Sequence, residues 1–572
     1  MRLKTTKSGS ATSLYVIKDV YIDGKRTTKI TEKLGTVESL GKTHDDPIAW
    51  AKAYIVDLND KEREETEAIL VKLSPAKQID AGIQKSFNGG YLFLQKLYHE
   101  VGLDSICSTI SARHMFKFDL NEILSRLLYA RIMYPSSKLA TFELSKIFIE
   151  QPQFELHQMY RALDVIAKET DFIQAQLYKN TAQRMERDTS ILYYDCTNYF
   201  FEIEQEEGLK QYGKSKENRP NPIVQMGLFM DANGMPLAFN ITSGNTNEQV
   251  TMKPLEQKIL KDFELSKFVV CTDAGLASNT NRLFNATKER RFITTHSLKK
   301  SKKYIKDWAL ATTGWRLSEG CEAVDLRDID RAFALKHDLV FYKERLINDG
   351  GLEQKIIVSF SVKYEQYQAN IRNEQIARAI KKMNSHPTSI GKVRANDFKR
   401  FIKTHHHTGE GEVAANSLYT LDEELIIKES QYDGLYAVAT NLEDDISTII
   451  KANKSRWQIE ECFRIMKSEF KARPVYLKRD ERIGAHFTTC FLSLLLFRGL
   501  EQRLDNNYSP QEIIHTLQNM NFFQIKGEGY IPTYMRSDLT DNLHDAFGFR
   551  TDREINKDKE IKNIIKHTKK RG

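Results

Sequence analysis

The sequence contains few cysteines and no long apolar segment. Its six cysteines are scattered without a C-x-x-C pair, which argues against a zinc ribbon and against a disulfide framework. Residues 1–4 lack the apolar core of a signal peptide, and the longest apolar run, residues 490–497, is too short to span a bilayer. We therefore expect a soluble protein of the reducing cytoplasm with no membrane partner.

The excess of positive charge is small, at +8 for 572 residues, but the basic residues are unevenly distributed. A chain of this length should form about three or four domains. Lysines and arginines cluster in residues 210–219, 299–306, 392–403 and 550–571, and aromatic residues interleave with the first three clusters. Such clusters are typical of proteins that contact the DNA backbone, although each cluster alone is more often a solvated surface.

The segment 456–467 separates charged from apolar residues when it is projected as a helix. At about 100° per residue, Arg456, Glu460, Arg464 and Lys467 fall within a stripe roughly 80° wide, next to an apolar stripe. A carboxylate flanked by cations is what a metal site that holds a phosphodiester requires. An amphipathic helix with i,i+4 ion pairs on its wet face explains the pattern equally well.

Two short apolar runs upstream each end in an aspartate. Residues 191–195 and 267–273 read as buried strands that deliver Asp195 and Asp273 at their carboxyl ends. Between them the pattern predicts a hairpin (223–230 and 235–241) and a helix (251–265), and after them a helix (279–287) and a strand (291–295). The predicted order is β-β-β-α-β-α-β, with the Glu460 helix last. Strand-end aspartates can also be simple turn formers.

This order, with carboxylates on the first and fourth strands and on a late helix, resembles the ribonuclease-H-like core of DDE transposases. Arg456, Glu460 and Lys467 match the Y-x2-R-x3-E-x6-K signature of the bacterial cut-and-paste insertion-sequence group. An Asp-x-Thr motif at residues 195–197, a Gly-Asn pair at 244–245 and a Thr-Asp-Ala-Gly turn at 272–275 also look like that group. The resemblance covers roughly residues 90–500, and its specificity comes from several motifs in one order.

One position departs from the signature. The tyrosine position holds Asn453, which puts the contribution of that tyrosine at the scissile phosphate in question. An asparagine amide can still donate a hydrogen bond to a phosphate oxygen.

The resemblance implies an α/β fold with a ribonuclease-H-like catalytic core, interrupted by a β-rich insertion and preceded by a helical DNA-binding region. The helical region could equally be a scaffold bundle. The expected domains are a small β-hairpin and helix module (1–75), the helical region (76–187), the first part of the core (188–297), the insertion (298–431), the second part of the core with the glutamate helix (432–500), and a helical, basic C-terminal tail (501–572).

The resemblance also implies metal-dependent phosphoryl transfer on DNA. Asp195, Asp273 and Glu460 would be the catalytic residues and the ligands of two Mg²⁺ ions, with Asp195 bridging them and Mn²⁺ able to substitute. Arg456 and Lys467 would bind the phosphates that flank the scissile bond.

Four further residues are weaker DNA-binding candidates. Arg464 and Asn453 lie close to the glutamate helix in sequence. In the family, an aromatic residue of the insertion holds a flipped base of a DNA-hairpin intermediate, and Trp308 and Trp315 are candidates by stacking chemistry. A buried tryptophan is the ordinary alternative for either.

The expected function is therefore DNA transposition. The partners would be double-stranded DNA, as terminal inverted repeats and as target, and a second copy of the chain in a homodimeric synaptic complex. Two alternatives remain open at this stage. One is a metal-dependent nuclease that does not join strands, and the other is a catalytically silent DNA-binding regulator derived from a transposase.

Overall fold

The computed structural model describes the chain except for residues 9–10, 23–24, 67–68, 70, 72–73, 77, 80, 318–321, 386–396, 408–415 and 572. The chain divides into two compact units, Met1–Gln84 and Lys85–Gly572. The boundary falls near the end of the module predicted for residues 1–75.

The first unit is a three-stranded antiparallel sheet with two helices. Its elements are β1 (Arg2–Ser8), β2 (Ala11–Ile22), β3 (Lys25–Thr36), α1 (Val37–Leu40) and α2 (Pro47–Thr66). Alternate residues of β2, Leu14 and Val16, are fully buried, and Ala51 of α2 is buried as well. The predicted hairpin thus has a third strand, and the module contains two helices rather than one.

The second unit opens with a short strand and a group of helices. These are β4 (Ser86–Asn88), α3 (Tyr91–Glu100), α4 (Leu103–Arg113), α5 (Leu120–Met133), α6 (Lys138–Ser145), α7 (Leu156–Lys168) and α8 (Thr170–Arg184). Asp119 and Ser137 cap α5 and α6 by accepting hydrogen bonds from the amides of Glu122 and Ala140. These two capping residues fix the starts of α5 and α6.

The middle of the chain supplies most of the large sheet. Its first part contains β5 (Ile191–Phe200), β6 (Ile223–Asp231), β7 (Pro236–Ser243), α9 (Met252–Asp262), β8 (Val269–Thr272), α10 (Asn279–Phe284) and β9 (Arg291–Thr295). Its second part contains α11 (Lys303–Leu310), α12 (Arg331–Lys336), β10 (Phe341–Asp349), β11 (Leu352–Phe360), α13 (Val362–Asn384), β12 (Ile402–His407), β13 (Asn416–Leu421), α14 (Glu423–Ser430) and β14 (Leu435–Thr440).

The C-terminal third is mainly helical but contains two strands. Its elements are α15 (Ile446–Lys454), α16 (Trp457–Arg464), a π-helical turn (Ile465–Glu469), α17 (Asp480–Arg503), α18 (Pro510–Asn519), β15 (Asn521–Ile525), β16 (Gly529–Pro532), α19 (Asp538–Phe547) and α20 (Asp558–Thr568). The predicted helical tail therefore includes β15, which pairs with both β16 and β4.

One helix, α17, is long and apolar enough to cross a membrane by length and composition, but 94% of its most apolar window is buried inside the protein. It contacts α3, α5 and α7 and forms the axis of the main core. The described cysteines, Cys107, Cys196, Cys271, Cys462 and Cys490, are buried and free.

The fold is mixed α/β, built on an eight-stranded sheet of order β10-β11-β14-β9-β8-β5-β6-β7. β5, β8 and β9 run parallel, and the flanking strands are antiparallel to their neighbours. The hairpin β10–β11 joins the sheet through β14. The expectation of a separate β-rich insertion therefore needs one correction, because two of its strands extend the main sheet.

The two faces of this sheet pack against different helices. On one face, Tyr193, Cys271, Ile293 and Val438 join the core formed with α15, α16 and α17. We call this side the α16 face. On the other, Leu192, Tyr194 and Val270 join a core with α9. Because side chains alternate along a strand, the residues two positions beyond Tyr193 and Cys271 belong to the α16 face.

Candidate active site

The two predicted aspartates lie opposite each other on neighbouring parallel strands. β5 and β8 pair in the register Ile191↔Val269 to Tyr193↔Cys271. Two residues further along, the same register sets Asp195 opposite Asp273. Asp273 directly follows β8, as predicted, whereas β5 continues to Phe200. Asp195 therefore lies within its strand rather than at its end, because β5 stays paired with β6 over residues 192–200.

Burial and neighbouring charges control the ionisation of Asp195. Removal from water and, to a smaller extent, the negative charge of Asp273 raise the pKa of its carboxyl, which lies at about 6 once all neighbouring groups are included. The ammonium of Lys216, the amide of Cys196 and the guanidinium of Arg456 oppose this rise. The Cys196 amide donates to Oδ1 of Asp195 at 2.8 Å. Two carboxylates thus share an edge whose cations only partly balance them.

Asp273 is held by the turn that follows its strand. Its Oδ1 accepts a hydrogen bond from the Leu276 amide at 3.0 Å, and its carbonyl accepts one from Oγ1 of Thr294 at 3.2 Å. A Cβ at Gly275 would lie 3.4 Å from both carboxylate oxygens of Asp273. The backbone of residues 275 and 276 therefore lies close to the Asp273 carboxylate.

Helix α16 provides the third carboxylate. Glu460 is 60% exposed, and its Oε1 lies 3.7 Å from Nη1 of Arg456. The guanidinium of Arg456 also lowers the pKa of Asp195 and of Cys271, which places it beside both strands. Among the described residues, its buried Nε–H has no hydrogen-bond partner. Arg456 thus lies between the glutamate and the aspartates with one donor free.

Lys467 points towards the sheet rather than along the exposed stripe. It lies in the π-helical turn Ile465–Glu469, where the projection at 3.6 residues per turn no longer holds. Its Nζ donates to Oγ1 of Thr197 on β5. Burial and then the positive charge of Lys216 lower the pKa of Lys467, Asp195 opposes the change, and the resulting pKa is about 8. The expectation of an exposed lysine is wrong, because the side chain is half-buried beside Asp195.

The other sequence candidates are placed more variably. Arg464 pairs with Glu461 at 2.5 Å and with Glu469 at 3.5 Å. Asn453 is buried, and its Nδ2 donates to the hydroxyl of Tyr436 at 2.7 Å. The side-chain amide of Asn453 is therefore already engaged with the protein.

The two tryptophans differ. Trp315 is 1% exposed, donates its indole N–H to the Ala311 carbonyl at 3.0 Å and packs on Phe360. Its ring faces are covered by protein. Trp308 is half-buried, with the Lys343 ammonium 5.3 Å and the Arg345 guanidinium 6.0 Å from its ring. Of the two, Trp308 is the more exposed.

Sequence reasoning missed the roles of two charged residues beside the aspartates. Lys216, in the loop between β5 and β6, donates to the Cys196 carbonyl and lies 3.7 Å from Oε1 of Glu248. Both residues affect a titrating group of the site, Lys216 acting on Asp195 and Glu248 on Cys196. Lys216 had appeared only as part of a basic cluster. The loop has no periodicity, so its contact with β5 could not be inferred from spacing.

The carboxylates suit a hard divalent cation. Asp195, Asp273 and Glu460 offer oxygen ligands of the kind that Mg²⁺ prefers, and the raised pKa of Asp195 indicates negative charge that lacks full compensation. In the described part of the chain, a set of three metal-capable side chains converges to within 4.8 Å only at Asp541, His544 and Asp552. The carboxylates of Asp195, Asp273 and Glu460 therefore do not converge to within that distance.

The converging set lies far along the chain and is already neutralised. Nη2 of Arg550 lies 2.6 Å from Asp541 and 2.7 Å from Asp552, and Arg536 lies 2.8 Å from Asp541. His544 is 1% exposed and its Nδ1 lies 3.7 Å from Asp552. Two guanidinium groups thus hold the carboxylates where a metal ion would otherwise bind.

A mixed α/β sheet thus brings Asp195 and Asp273 to one edge, and Arg456 and Glu460 lie at the start of helix α16. The chain belongs to the transposase DDE domain family, whose model matches residues 200–496 of the 572. That match contains Asp273 and Glu460 and begins just after Asp195. Transposases of this family use divalent metal ions.

Among solved structures, the cryo-EM structure of a piggyBac transposase synaptic complex with hairpin DNA is similar to the chain. The TM-score is 0.35 at 9% sequence identity, over 82% of this chain and 87% of that chain. The likeness is weak, and the family assignment rests on the domain match. None of the curated proteins matches the chain.

Proposed function

We propose that this chain is a cut-and-paste transposase of the bacterial insertion-sequence group. It would bind the terminal inverted repeats of its element as a homodimer, cleave the DNA strands through a hairpin intermediate and join the ends to target DNA. The single observation that carries the proposal is the register that sets Asp195 opposite Asp273 on the α16 face. In this proposal the central strands form a ribonuclease-H-like core, and helices α3 to α8 contribute to end recognition.

Asp195, Asp273 and Glu460 would hold Mg²⁺, with Mn²⁺ able to substitute. The bound ions would activate the attacking water or 3′-hydroxyl and stabilise the leaving oxygen. Glu460 is the exposed member of the set, so a change of its rotamer could bring its carboxylate towards the aspartates. The partner that it would leave, Arg456, would then be available to the substrate.

Three basic groups surround the place where a phosphodiester would lie. The guanidinium of Arg456, whose side chain is 19% exposed and whose Nη1 lies 3.7 Å from Glu460, could donate to a phosphate oxygen. Lys216 lies close enough to Asp195 to lower the pKa of that carboxyl. Lys467 lies close enough for Asp195 to raise the pKa of its ammonium. Held by Thr197 and the Cys196 carbonyl, both ammonium groups are oriented before DNA arrives. They would place the scissile phosphate against the carboxylates and balance its charge.

The direct test uses purified protein, Mg²⁺ and DNA that carries the inverted repeats flanking the gene. We expect nicks at the element ends, then hairpin and joined products. Cleavage without joining would identify a nuclease instead. End binding without cleavage in either Mg²⁺ or Mn²⁺ would identify a silent regulator and overturn the proposal.

A further inference from the structure

The edge of the sheet that carries the aspartates continues onto two more strands. β8 and β9 pair in the register Val269↔Arg291 to Thr272↔Thr294. One residue further, Asp273 lies opposite Thr295, the last residue of β9. Thr295 in turn pairs with Val438 of the antiparallel strand β14. The start of β14 therefore lies at the same edge as the two aspartates.

Tyr436, the second residue of β14, lies on the same face as the aspartates. It is two residues before Val438, whose side chain belongs to the α16 face, and its half-buried ring packs against the same core. Adjacent strands are about 4.8 Å apart, so β14 lies about 10 Å from β8. A tyrosine side chain spans much of that distance. Its hydroxyl can thus contact a phosphate next to the one held by the aspartates.

The hydroxyl of Tyr436 is held by two polar side chains. Its oxygen lies 2.7 Å from Nδ2 of Asn453 and 2.8 Å from Oγ1 of Thr295. The amide of Asn453 is oriented in turn, because its Oδ1 accepts from the Cys271 thiol at 3.8 Å. Asn453 donates to the phenol oxygen, so the phenol can donate its own proton either to Oγ1 of Thr295 or to a phosphate oxygen that takes its place.

We propose that Tyr436 is a phosphate-binding residue of the active site and that Asn453 positions it. The helix position that the signature assigns to a tyrosine holds an asparagine here, and that asparagine bonds to the hydroxyl of a tyrosine from a neighbouring strand. The phenol is thus supplied from the sheet instead of from the helix. This inference rests on the proposed function, because it assigns a contact within the same DNA complex.

The test combines Tyr436→Phe with DNA ends that carry one uncharged methylphosphonate at each phosphate around the cleavage site. Tyr436→Phe should slow single-turnover cleavage about tenfold, as expected for a lost hydrogen bond to a charged group. At one phosphate position the methylphosphonate and the substitution should not add, since both remove the same contact. The control is Tyr432→Phe. Tyr432 is half-buried, lies four residues before Tyr436 and has the Lys299 ammonium over its ring, so this variant should cleave normally.

Two further measurements separate this inference from the proposed function. The affinity for end DNA without metal needs no cleavage, and Tyr436→Phe should lower it with the same non-additivity at the same phosphate. Asn453→Ala should lower both readouts in the wild-type background but change neither further in the Tyr436→Phe background. A wild-type protein that binds but never cleaves would overturn the proposed function alone. Additive effects at every phosphate, or wild-type behaviour of Tyr436→Phe, would overturn the role of Tyr436.

Discussion

The molecule contains two carboxylate clusters that differ in how their charge is balanced. At the sheet edge, Asp195 and Asp273 lie side by side with lysines nearby, and the pKa of Asp195 remains raised. In the C-terminal region, Asp541 and Asp552 share the guanidinium of Arg550, and the pKa of Asp552 is held below its ordinary value even though burial opposes this. The C-terminal cluster, whose ligand atoms lie closest together, is thus the one whose negative charge is already balanced by arginine.

This difference shows that proximity of ligands is a poor guide to a metal site when counter-charges are ignored. A cation is attracted to the carboxylates that the protein leaves under-compensated. Four experiments can break or sharpen the comparison.

The largest effect is expected from Asp195→Asn, which keeps the shape and removes the charge. Cleavage of end-containing DNA should fall by several orders of magnitude while binding without metal persists. The matched control is Asp188→Asn, an exposed aspartate just before the same strand, which should cleave like the wild type. A near-normal cleavage rate for Asp195→Asn would remove the sheet edge from consideration as the active site.

The second effect is a dependence of stability on pH. The folded-state pKa of Asp195, about 6, exceeds its ordinary value of 3.8, so the folded protein holds more protons between these values and stability falls as pH rises through them. Asp195→Asn should therefore be more stable than the wild type at neutral pH, by up to about 3 kcal/mol. Near pH 4 the two should unfold alike. Calorimetry over that range measures the difference, and Mg²⁺ should reduce it by stabilising only the wild type. A constant difference at all pH values would contradict this account.

A third experiment removes the counter-charge from the C-terminal cluster. Arg550→Ala leaves Asp552, whose side chain is 8% exposed, without its closest partner, which should cost about 1–2 kcal/mol. The freed carboxylates and His544 should then bind Zn²⁺, so Zn²⁺ should raise the melting temperature of the variant but not of the wild type. Arg553→Ala is the control, because Arg553 is 54% exposed and pairs only with Glu560 among the ion pairs of the described residues. A wild type that responds equally to Zn²⁺ would show that the arginines do not block the cluster.

The smallest effect is expected from Lys467→Met, which keeps the aliphatic stem and removes the ammonium. Cleavage should fall about tenfold, and the log–log slope of DNA binding against salt should become shallower by about one unit. Because the pKa of Lys467 is about 8, the wild type should lose affinity as pH rises through that value while the variant does not. Lys261→Ala, an exposed lysine of α9 on the opposite face of the sheet, should leave the slope unchanged. An unchanged slope for Lys467→Met would place this residue outside the DNA contact.

Local patterns in the sequence predicted much of this fold. The strand Arg291–Thr295, the hairpin β6–β7 and helix α9 all depend on residues near in sequence, and the structure confirms them. The pairing of β10 and β11 with β14 could not be predicted, because a strand's pattern does not name its partner. For the same reason β5 was predicted to end at Asp195. It continues to Phe200 because residues beyond Asp195 stay paired with β6.

In the candidate site, too, local motifs could be predicted and contacts between distant segments could not. The aspartates and Glu460 follow from motifs in a fixed order. Lys467 was assigned to an exposed stripe, because a constant helical period cannot reveal a π-helical turn. The contacts of Asn453 with Tyr436, and of Lys216 with Cys196, join residues from distant segments. Such contacts are fixed by the assembled sheet and leave no signal in spacing.

The residues of the candidate site are synthesised at widely separated times. Both aspartates emerge from the ribosome long before β14 (Leu435–Thr440) and α16 (Trp457–Arg464), which bring Tyr436, Arg456 and Glu460 to the edge. A nascent or prematurely terminated chain that stops before residue 435 lacks the central strand between β9 and β11 as well as the third carboxylate. Under the proposed function, translation products that stop before residue 435 should therefore not cleave DNA, because they lack both β14 and Glu460.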